Sequence, residues 1–200
     1  LRTASIIFCD LRGFTAMAEH TPPAELVASL NEFFTAMTAW VRACGGFVDK
    51  FIGDAMLVVF GLFADEAARP GAGPAAGACD EAGAAAALRC AVGMHERLAE
   101  LNAVRARRGQ PPLAIAIGMH CGDVLAGTIG AADRHEYTVI GDAVNGAARL
   151  EQLCKDEARA LVVSETAYAR ARAAGSTIAL EPRAPVVLRG RRDPITVLQR

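Results

Sequence analysis

Two aspartates that end apolar, strand-like runs are the residues of this chain best suited to chemistry. Asp10 follows the run Ile6–Cys9, and Asp54 lies inside the mostly apolar segment Phe47–Phe60. A carboxylate at the end of a buried strand is costly to desolvate unless a cation or a hydrogen-bond donor offsets that cost. Two such carboxylates on neighbouring strands would form the oxygen-rich site that hard divalent ions prefer. The pattern therefore favours a metal site.

The turn after Asp10 favours a phosphate ligand beside that metal. Gly13 allows the backbone to approach a ligand closely, and successive amides of Leu11–Thr15 can form an anion-binding nest. Thr15 adds a hydroxyl, so Gly13, Phe14 and Thr15 are expected to bind substrate. A solvated aspartate before a glycine turn would give the same local pattern.

Lys50 stands four residues before Asp54 in an apolar run. Gly53-Asp54 between two apolar runs is a hairpin signal. Alternation along a strand would place Lys50, Ile52 and Asp54 on one face. Lys50 is then either a salt-bridge partner of the metal-binding carboxylate or a residue that reads a ligand, and this segment leaves both interpretations open.

A third segment combines a short strand, Tyr137–Ile140, with a helix that runs from Asp142, its expected N-cap, to about Cys154. Asn145 and Arg149 are four residues apart and share one face of that helix. The face around them is almost bare of other polar residues. A solvated arginine and an ordinary helical asparagine would explain the spacing alone, but they leave the sparse polarity of this face unexplained.

The remaining elements predict an α+β fold that would position these groups. Strands are expected at Ser5–Cys9, in a hairpin over Phe47–Phe60, in a pair formed by Leu113–Cys121 and Val124–Ile129, and at Ala160–Ser164, Val186–Leu188 and Ile195–Leu198. Further helices are expected at Pro22–Ala43, Glu81–Arg108 and Glu165–Ala174. Residues 64–80, which are rich in Ala, Gly and Pro, are expected to form a flexible insertion loop.

Taken together, three segments resemble the catalytic domain of class III nucleotidyl cyclases. The matching strings are Phe8–Thr15, Lys50–Asp54 and Tyr137–Asn145 with Arg149, and the resemblance covers essentially all 200 residues. It implies one catalytic domain over residues 1–200, with the family's ferredoxin-like core sheet and flanking helices. The start of the chain directly on the first strand also suggests a module of a longer multidomain protein.

The resemblance implies a role for each matching position. Asp10 and Asp54, with the carbonyl of Leu11, match the ligands of two Mg²⁺ or Mn²⁺ ions. Asn145 matches the residue that orients the ribose, and Arg149 the one that stabilises charge on the α-phosphate. Asp10 is also expected to assist deprotonation of the attacking ribose 3′-hydroxyl.

Lys50 and Thr138 match the pair that reads the purine in this family. Lys50 can donate to N1 of adenine, and the hydroxyl of Thr138 or its neighbouring backbone can accept from the 6-amino group, whereas guanine reverses both requirements. The resemblance therefore implies an adenylate cyclase that converts ATP to cyclic AMP and pyrophosphate, with guanylate cyclase as the nearest alternative. The threonine variant also resembles a subgroup often stimulated by bicarbonate, and activation by bicarbonate is a hypothesis here.

The triphosphate is expected to contact Arg189 in the segment Leu188–Arg192, with Arg191 as second choice, although an arginine run at a strand end is otherwise a solvated edge. The family further implies a head-to-tail homodimer in which one chain supplies the metal aspartates and the other supplies Asn145 and Arg149. Two rival interpretations are a catalytically silent nucleotide-sensing or dimerisation module and a palm-type enzyme such as a diguanylate cyclase or polymerase.

Composition restricts the other function classes. A net charge of −1 and a pI near 6.5 offer no electrostatic case for binding nucleic acid or membranes. Six cysteines occur without a C-x-x-C pair and are expected to be reduced. No apolar stretch is long enough to span a bilayer, so a cytoplasmic domain is expected, either of a membrane-anchored or of another multidomain protein.

Overall fold

An eight-stranded sheet with helices on both faces carries the residues discussed above. The computed structural model describes residues 1–62, 78–131, 133–157, 159–187 and 195–199, with backbone alone at 78–80 and 134. The strands are β1 (Arg2–Leu11), β2 (Phe47–Ile52), β3 (Ala55–Phe60), β4 (Ile115–Ala131), β5 (Arg134–Ile140), β6 (Leu161–Ser164), β7 (Glu181–Pro182) and β8 (Val197–Gln199). The helices are α1 (Phe14–His20), α2 (Pro23–Ala43), α3 (Ala78–Arg107), α4 (Asp142–Asp156) and α5 (Glu165–Ala173).

The strand order is β2-β3-β1-β4-β6-β8-β7, and β5 pairs with β4 outside this path. Asp10 at the end of the central strand β1 pairs in register with Ala55 on β3 and Ala116 on β4. Alternate residues of β1 enter different cores: Ile7, Cys9 and Leu11 join one apolar cluster, whereas Ala4 and Ile6 join another. The α+β prediction is confirmed, and Asp10 lies at the end of a strand that has a partner on each side.

Helices α2, α3 and α5 cover one face of the sheet, and α4 covers the other. The sequence predicted α2, α3 and α5 to within a few residues, but it did not predict the short helix α1. Proline at position 23 begins α2, where its missing amide hydrogen costs no hydrogen bond. The described helices include none that is both long and apolar enough to cross a membrane.

One prediction about the strands is wrong. Leu113–Cys121 and Val124–Ile129 were expected to pair with each other, but they belong to the single 17-residue strand β4. The first part of β4 pairs with β1 as far as Val124, and from Leu125 onward it pairs with β5. The pair Gly122-Asp123 resembles a turn, yet Gly122 lies opposite Ala4 in the ladder. The ladder with β1 keeps this segment extended.

Helix α4 lies unusually close to β4 because Gly118 has no side chain. A Cβ atom there would stand 2.2 Å from the backbone nitrogen of Glu151 and 2.3 Å from the carbonyl oxygen of Ala147. Near the C-terminal end of α4, the guanidinium group of Arg12 donates a hydrogen bond to the carbonyl oxygen of Cys154 at 2.8 Å. Gly141 occupies the N-cap position and Asp142 is the first helical residue, so the predicted N-cap is wrong by one place.

The edge elements differ in detail from the sequence predictions. Val186 and Ile195 form an isolated antiparallel bridge, and the last strand is Val197–Gln199. Five of the six cysteines, Cys9, Cys44, Cys90, Cys121 and Cys154, are buried free thiols, as expected for reduced structural residues. Residues 64–77 of the predicted insertion and the whole segment Leu188–Arg192 lie outside the described residues.

Candidate active site

The two aspartates lie side by side although 44 positions separate them along the chain. β1 brings Asp10 to its end, and the turn between β2 and β3 presents Asp54 next to the paired residue Ala55. Gly53 makes this turn with a φ of 63°, a conformation that favours glycine. Asp54 therefore lies in the turn after β2. The prediction that strand alternation places Lys50 and Asp54 on one face of a single strand does not apply to it.

The pair is electrostatically strained in the absence of a cation. Burial, a hydrogen bond to Asp10 and the charge of Asp10 raise the pKa of Asp54 to about 6. Oδ1 of Asp10 is buried and has no hydrogen-bond partner among the described residues. A carboxyl with a raised pKa and a neighbouring buried acceptor atom without a donor fit a divalent cation, which would relieve both costs.

Three or more His, Cys, Asp or Glu side chains do not converge on a metal position anywhere in the described ranges. This agrees with the coordination habit of Mg²⁺, which is commonly held by one or two carboxylates together with substrate phosphates and water. The side chain of Leu11 is buried in the apolar core. Only its backbone carbonyl is available for the predicted ligand role.

Two charged residues at the end of α4 join the aspartate pair, and neither was expected from the sequence. Lys155 forms an ion pair with Oδ2 of Asp10 and lies 3.3 Å from Oε1 of Glu151. Burial raises the pKa of Glu151 to about 7, although Lys155 lowers it. The ammonium group of Lys155 thus supplies the positive charge that the carboxylates require in the metal-free protein.

The turn after Asp10 is made by Gly13 in the left-handed region of backbone conformation. Gly13 has a φ of 67°, and α1 begins at the next residue. Phe14 packs its ring against the core, whereas Thr15 is exposed. The backbone at Gly13 and the hydroxyl of Thr15 are therefore accessible to a ligand, and their role in phosphate binding stays a prediction.

The predicted purine-reading residues Lys50 and Thr138 meet at a second place, where β2 approaches β5. The hydroxyl of Thr138 donates to Oδ2 of Asp49 at 2.8 Å, and Nζ of Lys50 lies 3.7 Å from the same oxygen. Nζ of Lys50 also lies 2.9 Å from Oε2 of Glu136. The structure thus brings together the residues that the sequence paired, through an aspartate that the sequence did not single out.

Asn145 and Arg149 line a cleft of about 530 Å³ along α4, together with Gln152, Asp156 and Val187. The expectation that this helix face carries almost no other polar residue is therefore wrong. The opposite face of α4 is buried, which leaves these two side chains directed away from the core. Ten residues separate Asn145 from Lys155, so a rise of 1.5 Å per residue places them about 15 Å apart along the helix axis. Asn145 and the aspartate pair therefore occupy different ends of the helix within one chain.

Arg189, the predicted triphosphate ligand, lies outside the described residues, as does the alternative Arg191. Val187 at the border of that segment lines the cleft that holds Asn145 and Arg149. The role of Arg189 stays a prediction.

A family model described as the adenylate and guanylate cyclase catalytic domain matches residues 1–199. Among curated relatives, an adenylate cyclase of Anabaena cylindrica is 34% identical over 169 residues, which cover 82% of this chain and 30% of the relative. Adenylate cyclase 1 of Rhizobium meliloti is 32% identical over 164 residues, which cover 82% of this chain and 23% of the relative. The chain therefore spans less than a third of the length of these relatives.

Solved cyclase structures share the whole architecture. The adenylyl cyclase CyaB from P. aeruginosa superimposes with a TM-score of 0.82 at 25% identity, covering 99% of this chain and 93% of that one. The guanylyl cyclase Cya2 superimposes with a TM-score of 0.81 at 30% identity, covering 99% and 91%. Since an adenylyl and a guanylyl enzyme fit equally well, the fold does not distinguish between the two purines.

Proposed function

The chain belongs to the adenylate and guanylate cyclase catalytic domain family, and from that premise we propose that it is an adenylate cyclase that converts ATP to 3′,5′-cyclic AMP and pyrophosphate. The observation that carries the choice of ATP is the pair formed by Lys50 and Thr138. An ammonium group can only donate, which suits the acceptor N1 of adenine and opposes the N1–H of guanine. The names of the curated relatives support the same purine.

The resemblance to the family assigns the roles of the other residues, and their chemistry is compatible with these roles. Asn145 orients the ribose so that its 3′-oxygen faces the α-phosphorus, and Arg149 stabilises the charge that develops on the α-phosphate. Gly13, Phe14 and Thr15 form the turn that receives the phosphates, and Arg189 contacts the triphosphate. Asp10 assists removal of the proton from the 3′-hydroxyl.

Asp10, Asp54 and the carbonyl of Leu11 would hold two Mg²⁺ or Mn²⁺ ions. When bound, such ions supply Lewis-acid stabilisation of the attacking and departing oxygens. The unpartnered Oδ1 of Asp10 and the raised pKa of Asp54 support this assignment. Lys155 pairs with Oδ2 of Asp10 and would compete with a cation for that oxygen.

A homodimer with shared sites explains why the functional residues lie apart in one chain. The separation of about 15 Å between Asn145 and Lys155 along α4 leaves the ribose-binding residue remote from the carboxylate pair. Exposed apolar side chains on β4 and β5, Leu125, Ile129, Tyr137 and Ile140, offer a surface for the partner chain. A two-fold dimer would then contain two complete sites, each built from both chains.

The test is to incubate the purified domain with ATP or GTP and Mg²⁺ or Mn²⁺, and to quantify the cyclic nucleotides. We expect cyclic AMP from the wild-type protein and a loss of at least about 100-fold in rate for Asp54→Asn, because one removed charge-stabilising group typically costs that much. Asp123→Asn, an exposed substitution on β4, is the control and is expected to retain activity.

Cyclic GMP as the main product would contradict the interpretation of Lys50 and Thr138 and make the chain a guanylate cyclase. No product at high protein concentration, with intact fold, would favour the silent nucleotide-sensing module. The presence of Asp10, Asp54, Asn145 and Arg149 argues against that alternative.

A further inference from the structure

Asp49 is the buried partner of both purine-reading residues, and its position in β2 is irregular. The pairing of β2 with β3 proceeds through Val48 opposite Val58 and resumes at Lys50 opposite Leu57, so Asp49 is the extra residue of a β-bulge. A bulge re-aims a side chain that regular alternation would direct elsewhere. Here the carboxylate of Asp49 reaches Thr138 on β5, which lies 89 positions away along the chain.

The hydrogen-bond direction between these two residues is fixed by their chemistry. An ionised carboxylate has acceptors only, so the hydroxyl of Thr138 must use its single hydrogen for the 2.8 Å bond to Asp49. The Thr138 oxygen then has only lone pairs left for any other contact. The second carboxylate oxygen, Oδ1 of Asp49, is buried without a described hydrogen-bond partner and adds another acceptor at the same place.

We propose that Asp49 is a positioning residue that makes the purine pocket accept the 6-amino group of adenine and reject the 6-oxo group of guanine. Asp49 does this by holding the Thr138 hydroxyl as a hydrogen-bond acceptor toward the base. The inference rests on the proposed adenylate cyclase function and extends it to a residue outside the Lys50–Thr138 pair. A 6-oxo group in this position would face the lone pairs of the Thr138 oxygen. Two acceptors would then be buried against each other without a hydrogen to share.

The charges around Asp49 are consistent with this role. The side chain of Asp49 is fully buried, and Lys50 at 3.7 Å is its described cationic neighbour. Burial raises the pKa of Asp49, while the hydrogen bond from Thr138 and the charge of Lys50 act to lower it. Lys50 has a closer partner in Glu136, so loss of the Asp49 charge would leave the ammonium group with its shorter ion pair.

The test compares nucleotides that differ at position 6. Purine riboside triphosphate keeps N1 as an acceptor but lacks the 6-amino group. GTP has an N1–H donor in place of the N1 acceptor and a 6-oxo acceptor in place of the 6-amino donor. In Asp49→Asn the carboxamide can donate to Thr138, which frees the hydroxyl to donate toward the base. We expect the kcat/KM ratio of ATP to purine riboside triphosphate, and that of ATP to GTP, to fall at least about 10-fold.

Three further comparisons separate this role from simpler explanations. In a Thr138→Val background, Asp49→Asn should change the two ratios by less than about two-fold, because the hydroxyl that it orients is gone. Glu136→Gln disturbs Lys50 while leaving the bond between Thr138 and Asp49, and should keep the preference for ATP over purine riboside triphosphate. Asp123→Asn makes the same change in a matched pair on another part of the sheet, where the hydroxyl of Thr3 donates to Asp123 at 2.7 Å, and should change neither ratio.

A purely structural role for Asp49 would lower kcat/KM for all three nucleotides equally, and unchanged ratios in Asp49→Asn would overturn the inference. Calorimetric binding of 3′-deoxy-ATP and 3′-deoxy-GTP, which cannot be cyclised, gives a readout that does not depend on turnover. A wild-type protein that prefers 3′-deoxy-ATP but forms no cyclic product would disprove the proposed reaction while leaving the inference testable. A wild-type protein without that preference would overturn the role of Asp49.

Discussion

At the residue scale, the carboxylate site combines acidic side chains with one partly buried lysine. Asp54 lies beside Asp10, and Lys155 forms ion pairs with Asp10 and, farther along α4, with Glu151. Burial lowers the pKa of Lys155, but the hydrogen bond and charges of the carboxylates outweigh this and raise it overall. The lysine therefore stays protonated and partly neutralises the site in the metal-free protein.

The raised pKa of Asp54 predicts how the stability of the metal-free protein depends on pH. The pKa is about 6 in the folded state and 3.8 in the reference state, so the folded protein binds the proton more tightly. Stability is then greatest on the acid side and falls as the pH rises from about 4 through 6. Asp54→Asn removes this term and should be more stable than wild type by about 1 kcal/mol at pH 8, since solvent screens part of the shift.

Chemical denaturation of both proteins in a chelator between pH 4 and pH 8 measures this difference. The contribution of Glu151 runs in the same direction but is present in both proteins, so it largely cancels. The two stabilities should converge toward pH 4, and added Mn²⁺ should reverse their order at pH 8 by stabilising the wild type. A variant that is less stable than wild type at pH 8 without metal would contradict the electrostatic account.

At the scale of elements, the close contact between α4 and β4 positions both groups of functional residues. Gly118 makes the contact, and the clash of an added Cβ would be with backbone atoms of α4 that cannot rotate away. Gly118→Ala is therefore expected to destabilise the protein by about 3 kcal/mol, at the upper end of typical overpacking costs. It should also reduce activity, because α4 carries Asn145, Arg149 and Lys155.

Gly127→Ala on the same strand is the matched control for stability, because no atom lies within 4 Å of the added Cβ. Thermal or chemical unfolding of the two variants measures the difference directly. Equal unfolding free energies for Gly118→Ala and Gly127→Ala would show that α4 does not depend on this contact.

The sequence predicted the elements and residues whose signals are local. Asp10 and Asp54 were found because each ends an apolar run, and the face shared by Asn145 and Arg149 follows from helical spacing. The continuity of β4 was missed because Gly122-Asp123 carries a turn signal that pairing with β1 overrides. Lys155 and Asp49 were missed because their partners are 145 and 89 positions away, and a bulge breaks the alternation that would have located Asp49.

At the scale of the whole molecule, the distribution of functional residues predicts complementation between inactive chains. An Asp54→Ala chain retains Asn145, and an Asn145→Ala chain retains Asp54. If the sites are shared across a two-fold dimer, one of the two sites in a mixed dimer contains both intact residues. A mixture of the two proteins should then regain up to about a quarter of wild-type activity, since half the dimers are mixed and each has one complete site.

The rate of cyclic AMP formation, measured as equal amounts of the two proteins are mixed, checks this expectation. Each variant alone should remain at background, and mixing Asp54→Ala with wild-type chains provides the reference for subunit exchange. Folded variants that exchange subunits without regaining activity would show that each site is built within one chain.

The unbroken strand β4 also restricts which insertions and deletions this domain can accept during evolution. Residues before and after Val124 are registered to different partner strands, and no loop lies between them to absorb a change in length. Deleting one codon there would shift the following residues by one place and direct each side chain to the opposite face of the strand. Genes for active relatives should therefore accept substitutions at the exposed positions of this strand, such as Thr128 and Ile129, yet keep its length constant.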